Sequence, residues 1–221
     1  MPTTINNLRK DYSEGAWQLM VAAEKLFGQR GIESVSLREI AAAANHANTS
    51  AVAYHFGSKE NLVQAVFEMR LPALDAARAR RLAEARAAGP LSMRTLVTVM
   101  LLPILEEFNA QDLENFALFM TRLAQRHSAE QAFFQATDIV PASVEIIGEL
   151  AKQLKHLPQE ALGIRLRLGT DLFLDSVAEH KYVEDSSTNP YLDEAGFWDD
   201  ILNLVVAVME APLTARLKPC T

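Results

Sequence analysis

The sequence predicts an all-α fold: a three-helix head, a long connecting helix and a C-terminal helical bundle that dimerises. Three observations carry that expectation. No stretch alternates apolar and polar residues over a useful length, so no strand is expected. Apolar residues recur instead three and four apart through most of the chain. Glycine and proline, nine each in 221 residues, mostly punctuate those periodic stretches.

The elements follow in order. From Ser13 to Arg30, Trp17, Met20, Val21, Leu26 and Phe27 recur at helical spacing, and Gly31 stops the run. Ser36-Leu37-Arg38-Glu39 is a capping box, in which the Ser36 hydroxyl accepts from the Glu39 amide and the Glu39 carboxylate reaches back. It opens a short alanine-rich helix, Leu37 to Ala44. Asn45 to Asn48 reads as a turn. Asn48 or Thr49 caps a second short helix, about Thr49 to His55, and Gly57 ends it. Ser58 then caps one long helix, Lys59 to about Ala87, which Gly89-Pro90 terminates. Further helices are expected over Leu91–Asn109, Asp112–Arg126, Ala129–Asp138, Ala142–His156, Gln159–Val183 and Glu194–Met209. Pro103 should kink or shorten the first of these. Residues 184–193 are the clearest loop.

Composition narrows the function. The apolar fraction is 49 % and the charged fraction 22 %, ordinary for a packed globular chain. No apolar run is long enough to span a bilayer, and no apolar signal core opens the chain, so a cytoplasmic protein without membrane partners is expected. The single cysteine, Cys220, leaves no disulfide framework and no cysteine metal cluster. The net charge of −7 opposes nucleic-acid binding when taken as a total. Its distribution does not: residues 1–70 carry seven basic and seven acidic residues, so all of the excess acid lies behind them.

Two short helices across a tight turn, with a third to pack on, form a helix-turn-helix reader. Its second helix must be slim and polar to enter a major groove, and Asn48, Thr49, Ser50, Ala51 and Ala53 suit that. Val52 and Phe56 can pin its other side. At this point the residues resemble the TetR-type (tetracycline-repressor) regulators. "AAEKLFGQRGIESVSLREIAAAAN" and "YHFGSKENL" carry the resemblance, over about residues 16–70. It implies roles by position. Tyr54 and Lys59 correspond to a tyrosine and a lysine that contact phosphate, and Ser36 to a residue facing it. The plainer readings stay open: Ser36 as a cap only, Lys59 as a solvated charge, Tyr54 as core. Two departures stand out. The family's usual Gly-Val-Ser turn is replaced by Asn45-His46-Ala47-Asn48 with one extra residue, and asparagine tolerates a left-handed backbone. No Lys or Arg lies between Asn45 and His55, so base reading falls to Asn48, Thr49 and Ser50, or to arginines outside the helix such as Arg38 or Arg9. His46 and His55 flank the reader and are its local sources of positive charge; the alternative is that both bond within the head.

An enzyme is not expected. The five histidines lack metal-ligand spacing, no nucleophile or phosphate-loop motif occurs, and no cofactor or metal is implied. The adjacent pairs Glu106-Glu107 and Asp199-Asp200 diverge on a helix. The aromatic residues in the middle of the chain are either plain core or the wall of an apolar cavity. The resemblance favours a cavity for a small-molecule inducer, with Phe108, Phe116, Phe119, Met120, Phe134, Phe173 and His180 as candidate contacts. The last two long helices each bear two apolar stripes, which suggests burial on both sides. Leu166, Phe173, Ile201 and Val205 are the expected dimer contacts, with Gly169 allowing close approach.

The division expected is a DNA-binding head at 1–58 and a ligand-binding, dimerising body at 59–221. The expected function is a homodimeric, ligand-responsive regulator that represses from a palindromic operator. The competing reading is a small-molecule-binding helical dimer whose head no longer reads DNA.

Overall fold

The computed structural model describes residues 12–46, 50–126, 136–184 and 193–213, with 181–184 as backbone only. Among them every regular element is helical: α1 Glu14–Arg30, α2 Leu37–Ala43, α3 Ala51–Phe56, α4 Lys59–Glu68, α5 Leu71–Ala88, α6 Met93–Glu106, α7 Ala110–Ala124, a 3₁₀ turn at Thr137–Ile139, α8 Pro141–Gln153, α9 Gln159–Glu184 and α10 Glu194–Glu210.

Local chemistry sets most of these ends. Ser13, Ser58, Ser92, Asn109 and Asp193 each cap the helix that follows, accepting a hydrogen bond from a first-turn amide. Helices α3, α5 and α8 lack such a cap, and in α8 a distant residue supplies it. The residue preceding α8, Val140, offers no side-chain cap. The cap comes from α5: the Asp75 carboxylate accepts from the Ala142 and Ser143 amides at 3.0 and 2.8 Å and from the Ser143 hydroxyl at 2.6 Å. Buried Arg78, one turn along α5, donates to the Ser143 hydroxyl and to the Met100 carbonyl. Burial pushes its guanidinium down to about 10, although nearby Asp75 opposes the shift. This network ties α5, α6 and α8 together. Buried Arg165 of α9 donates to the Met209 carbonyl in the last turn of α10.

The expected long helix from Lys59 to Ala87 is two helices. The break falls at Met69 and Arg70 because Pro72 occupies the first turn of α5. Proline has no N–H to give the Glu68 carbonyl, and its ring crowds that carbonyl. Pro103, by contrast, is absorbed within α6, which ends three residues later. The predicted helix over Ala129–Asp138 falls largely outside the described residues; its end, Thr137–Ile139, is a 3₁₀ turn.

Two apolar cores result. The body core gathers α5 to α10 around Leu96, Ile146, Phe173 and Leu174. The head core gathers α1 to α4 around Leu19, Met20, Phe27, Ile40, Val52 and Leu62, and it also takes in Phe119 and Leu123 of α7. Helix α1 lies directly on α7. A Cβ placed on Gly28 would stand 2.9 Å from the Leu118 Cβ and 3.0 Å from the Phe119 amide nitrogen. The missing side chain is what lets the two backbones meet. Phe27 stacks on Phe119 with ring centres 6.3 Å apart.

Candidate functional site

The reader is built on α2, its turn and α3. The capping box at Ser36 is complete: the Glu39 amide donates to the Ser36 hydroxyl, and the Glu39 carboxylate receives the Ser36 amide at 2.8 Å and its hydroxyl at 2.7 Å. Those Ser36 bonds, with the Arg30 guanidinium 2.8 Å away, hold the Glu39 carboxyl down at about 2. Helix α2 ends in a Schellman motif. The His46 amide donates to the Ala41 carbonyl at 2.9 Å and the Asn45 amide to Ala42 at 3.1 Å. That motif needs a left-handed residue between them, and Asn45 supplies it at φ +56°. The asparagine therefore fits where the related turns carry glycine.

Beyond the turn, Ser50 is exposed and precedes α3 without capping it through its side chain. Asn48 and Thr49 lie outside the described residues. On α3, Val52 and Phe56 are buried in the head core, while Tyr54 is 84 % exposed. A tyrosine this open has left the core reading behind and stands free to meet a partner. Its ring stacks edge-on against exposed His55 at 5.0 Å. Arg38 on α2 is exposed, and no described residue pairs with it. Lys59 opens α4. Its ammonium donates to the Glu33 carbonyl at 3.3 Å and stands 5.9 Å from the Phe27 ring centre. Ser36, Arg38, Ser50, Tyr54, His55 and Lys59 thus all belong to one helix-turn-helix unit and its flank.

His46 differs from expectation. Its ring turns inward against the first turn of α1, where Gly15 leaves room: a Cβ there would stand 2.9 Å from the His46 Cε1. Its Nε2 is buried with no hydrogen-bond partner among the described residues. Packing against α1 holds this ring within the head.

The candidate effector residues divide between two places. Phe108 and Phe116 meet at 5.0 Å in the body core. Phe173 lies 5.8 Å from Trp198, and half-buried His180 stacks on Trp198 at 4.9 Å with Phe197 at 4.8 Å. Phe119 belongs elsewhere, in the head core against Phe27, because that face of α7 is turned to α1. Met120 borders both cores. Phe134 lies outside the described residues.

The expected dimer contacts lie largely within the protomer. Phe173, Ile201 and Val205 are buried within their own chain, and Gly169 packs against the Val205 side chain, at 3.0 Å from an added Cβ. Leu166 is partly buried on the same core. Helices α9 and α10 use these stripes on each other. The outward stripes are Ile164 and Leu168 on α9 and Leu204 on α10, 52, 45 and 44 % exposed.

Sequence reading missed the ionic groups that join head to body. Arg70, in the break between α4 and α5, is buried and grips Glu24 of α1 through two bonds at 3.2 and 2.8 Å. Asp112 of α7 lies 3.5 Å from the same guanidinium, and Phe108 packs 5.4 Å from it. Burial raises the Glu24 carboxyl above its usual range, against the pull of Arg70. Past the other end of α7, Arg126 reaches Glu33 and Glu60 of the head. Only Gly28 left a trace in the sequence, as a glycine inside a helical pattern.

This geometry defines a class: a helix-turn-helix DNA-binding head seated on an all-helical body. Residues 19–66 match the family described as bacterial regulatory proteins, tetR family. The head is thus that of a tetR-family regulator, which supports a DNA-binding transcriptional regulator. No curated protein matches it. Among the described residues no helix is long and apolar enough to cross a membrane.

Proposed function

We propose that the chain is a homodimeric repressor that holds a palindromic operator and releases it when a small apolar or amphipathic molecule enters the body. The observation that carries this reading is the seam at Gly28. Helix α1 of the reader lies backbone to backbone on α7 of the body, so a body rearrangement that shifts α7 must carry the reader with it. Tyr54 and Lys59 hold the phosphate backbone, while Asn48, Thr49, Ser50 and Arg38 meet base edges. His55, exposed beside Tyr54, joins the backbone contacts. The effector is met by Phe108, Phe116, Phe173 and Met120, with His180 as the polar group that orients it. The dimer forms across Ile164, Leu168 and Leu204, which supports a two-fold pairing of α9 and α10. The setting is the cytoplasm, where the chromosome lies.

A gel shift against the DNA flanking the chain's own gene, beside sedimentation of the free protein, tests this. One dimer on one palindromic site is expected. A monomer at micromolar concentration would remove the pairing. A dimer that takes up apolar molecules yet shifts no DNA would support the competing reading, a head that no longer reads.

A further inference from the structure

Lys59 does not stand alone on the head surface. Its ammonium rests on the Glu33 carbonyl, in the turn between α1 and α2. The Glu33 side chain is largely exposed, and so is that of Glu60, the next residue along from Lys59. Two carboxylates beside one lysine give that spot a net charge of −1, which repels a phosphate. Arg126 corrects this from the body. Its Nη2 lies 3.0 Å from Glu33 Oε1 and 3.9 Å from Glu60 Oε1. One turn back, Arg122 donates to the Gly28 carbonyl at 3.5 Å, which fixes the end of α7 on the head. The Arg126 side chain is itself mostly covered, at 22 % exposure, so it is placed to hold the carboxylates and not to reach outward.

We infer that Arg126 is a positioning residue for the phosphate contact at Lys59: it offsets the charge of Glu33 and Glu60 that Lys59 leaves in excess, and it anchors the turn on which the lysine rests. This rests on the reading of Lys59 as a phosphate contact. It adds that the contact is completed by the body, so separating α7 from the head would weaken grip on the DNA backbone even where no reading residue moves.

Phosphate contacts are independent of sequence, so a random-sequence duplex at low salt serves as the probe. The full-length chain is compared with Lys59→Ala, Arg126→Gln, Glu33→Gln/Glu60→Gln and the triple variant, with Arg94→Gln, distant on α6, as the charge control. Lys59→Ala and Arg126→Gln should each weaken binding, Arg126→Gln by roughly fivefold at low salt and less at high salt. In the Glu33→Gln/Glu60→Gln background, adding Arg126→Gln should change nothing, because the charges it offsets are gone. Melting temperature should not move for Arg126→Gln. If Lys59→Ala weakens binding while Arg126→Gln does not, the positioning role is wrong and the phosphate contact stands. If Arg126→Gln costs the same in both backgrounds, Arg126 touches DNA itself, and the inference is overturned. If Lys59→Ala has no effect, both fall.

Discussion

Replacing Arg70 with methionine keeps a long flexible side chain against Phe108 but removes the cation bonded to buried Glu24. The carboxylate is then left in a site where Glu24 is 1 % exposed. It has two courses. Remaining charged and unpaired costs about 3–5 kcal/mol. Taking a proton costs about 1.4 kcal/mol for each pH unit above the ordinary carboxyl value of 4.5. At pH 7 the second course is about 3.4 kcal/mol, and at pH 5 about 0.7 kcal/mol. The protein takes the cheaper course, so destabilisation should be about 3 kcal/mol at neutral pH and fall steeply towards pH 5. The sign follows from linkage. Burial already raises Glu24, and losing Arg70 removes the two influences that lower it. The folded variant then binds this proton more tightly than the unfolded chain, and its stability declines as pH rises above 4.5 towards the raised value. Urea denaturation at pH 5, 6, 7 and 8, at one fixed protein concentration, measures it. The double variant Glu24→Leu/Arg70→Met should recover most of the loss at neutral pH, since no charge is left buried. A pH-independent loss, or a double variant as unstable as the single one, would show that packing and not charge is at stake.

Other outcomes follow from the same structure. Gly28→Ala should cost about 1–3 kcal/mol in denaturation, because even one methyl must push α1 off α7 where the nearest atoms are 2.9 and 3.0 Å away. Leu204→Asp should yield a folded monomer by sedimentation and circular dichroism, whereas Val205→Asp, one residue on, should unfold the chain because that side chain is 3 % exposed. A folded monomer from Val205→Asp would restore it to the dimer surface. Asp75→Ala should destabilise by about 2–4 kcal/mol, having stripped the buried first turn of α8 of its cap; thermal unfolding of Asp75→Ala beside Asp75→Asn reads it, and the asparagine, which keeps one acceptor, should lose less.

What the sequence determined is what acts over a few residues. The capping box at Ser36, the serine and asparagine caps, and the left-handed Asn45 are local bargains between side chain and backbone, and each is legible where it occurs. The helix-turn-helix followed from their spacing, whereas Tyr54 was singled out only by the family resemblance of "YHFGSKENL". Pro72 was equally legible as a break, yet the apolar pattern running through it from Lys59 read as one helix. What only the tertiary structure decided is which face of each helix meets which neighbour. Helices α9 and α10 carry two apolar stripes apiece, and periodicity cannot say which stripe packs inward; close packing at Gly169 gave Val205 and Phe173 to the protomer's own core and left Ile164, Leu168 and Leu204 outside. Phe119 turned to the head for the same reason. The ion pairs of Arg70 with Glu24 and Arg126 with Glu33 join residues 46 and 93 positions apart in the chain. Charges so distant leave no pattern in a sequence, because what brings them together is the packing of α1 on α7.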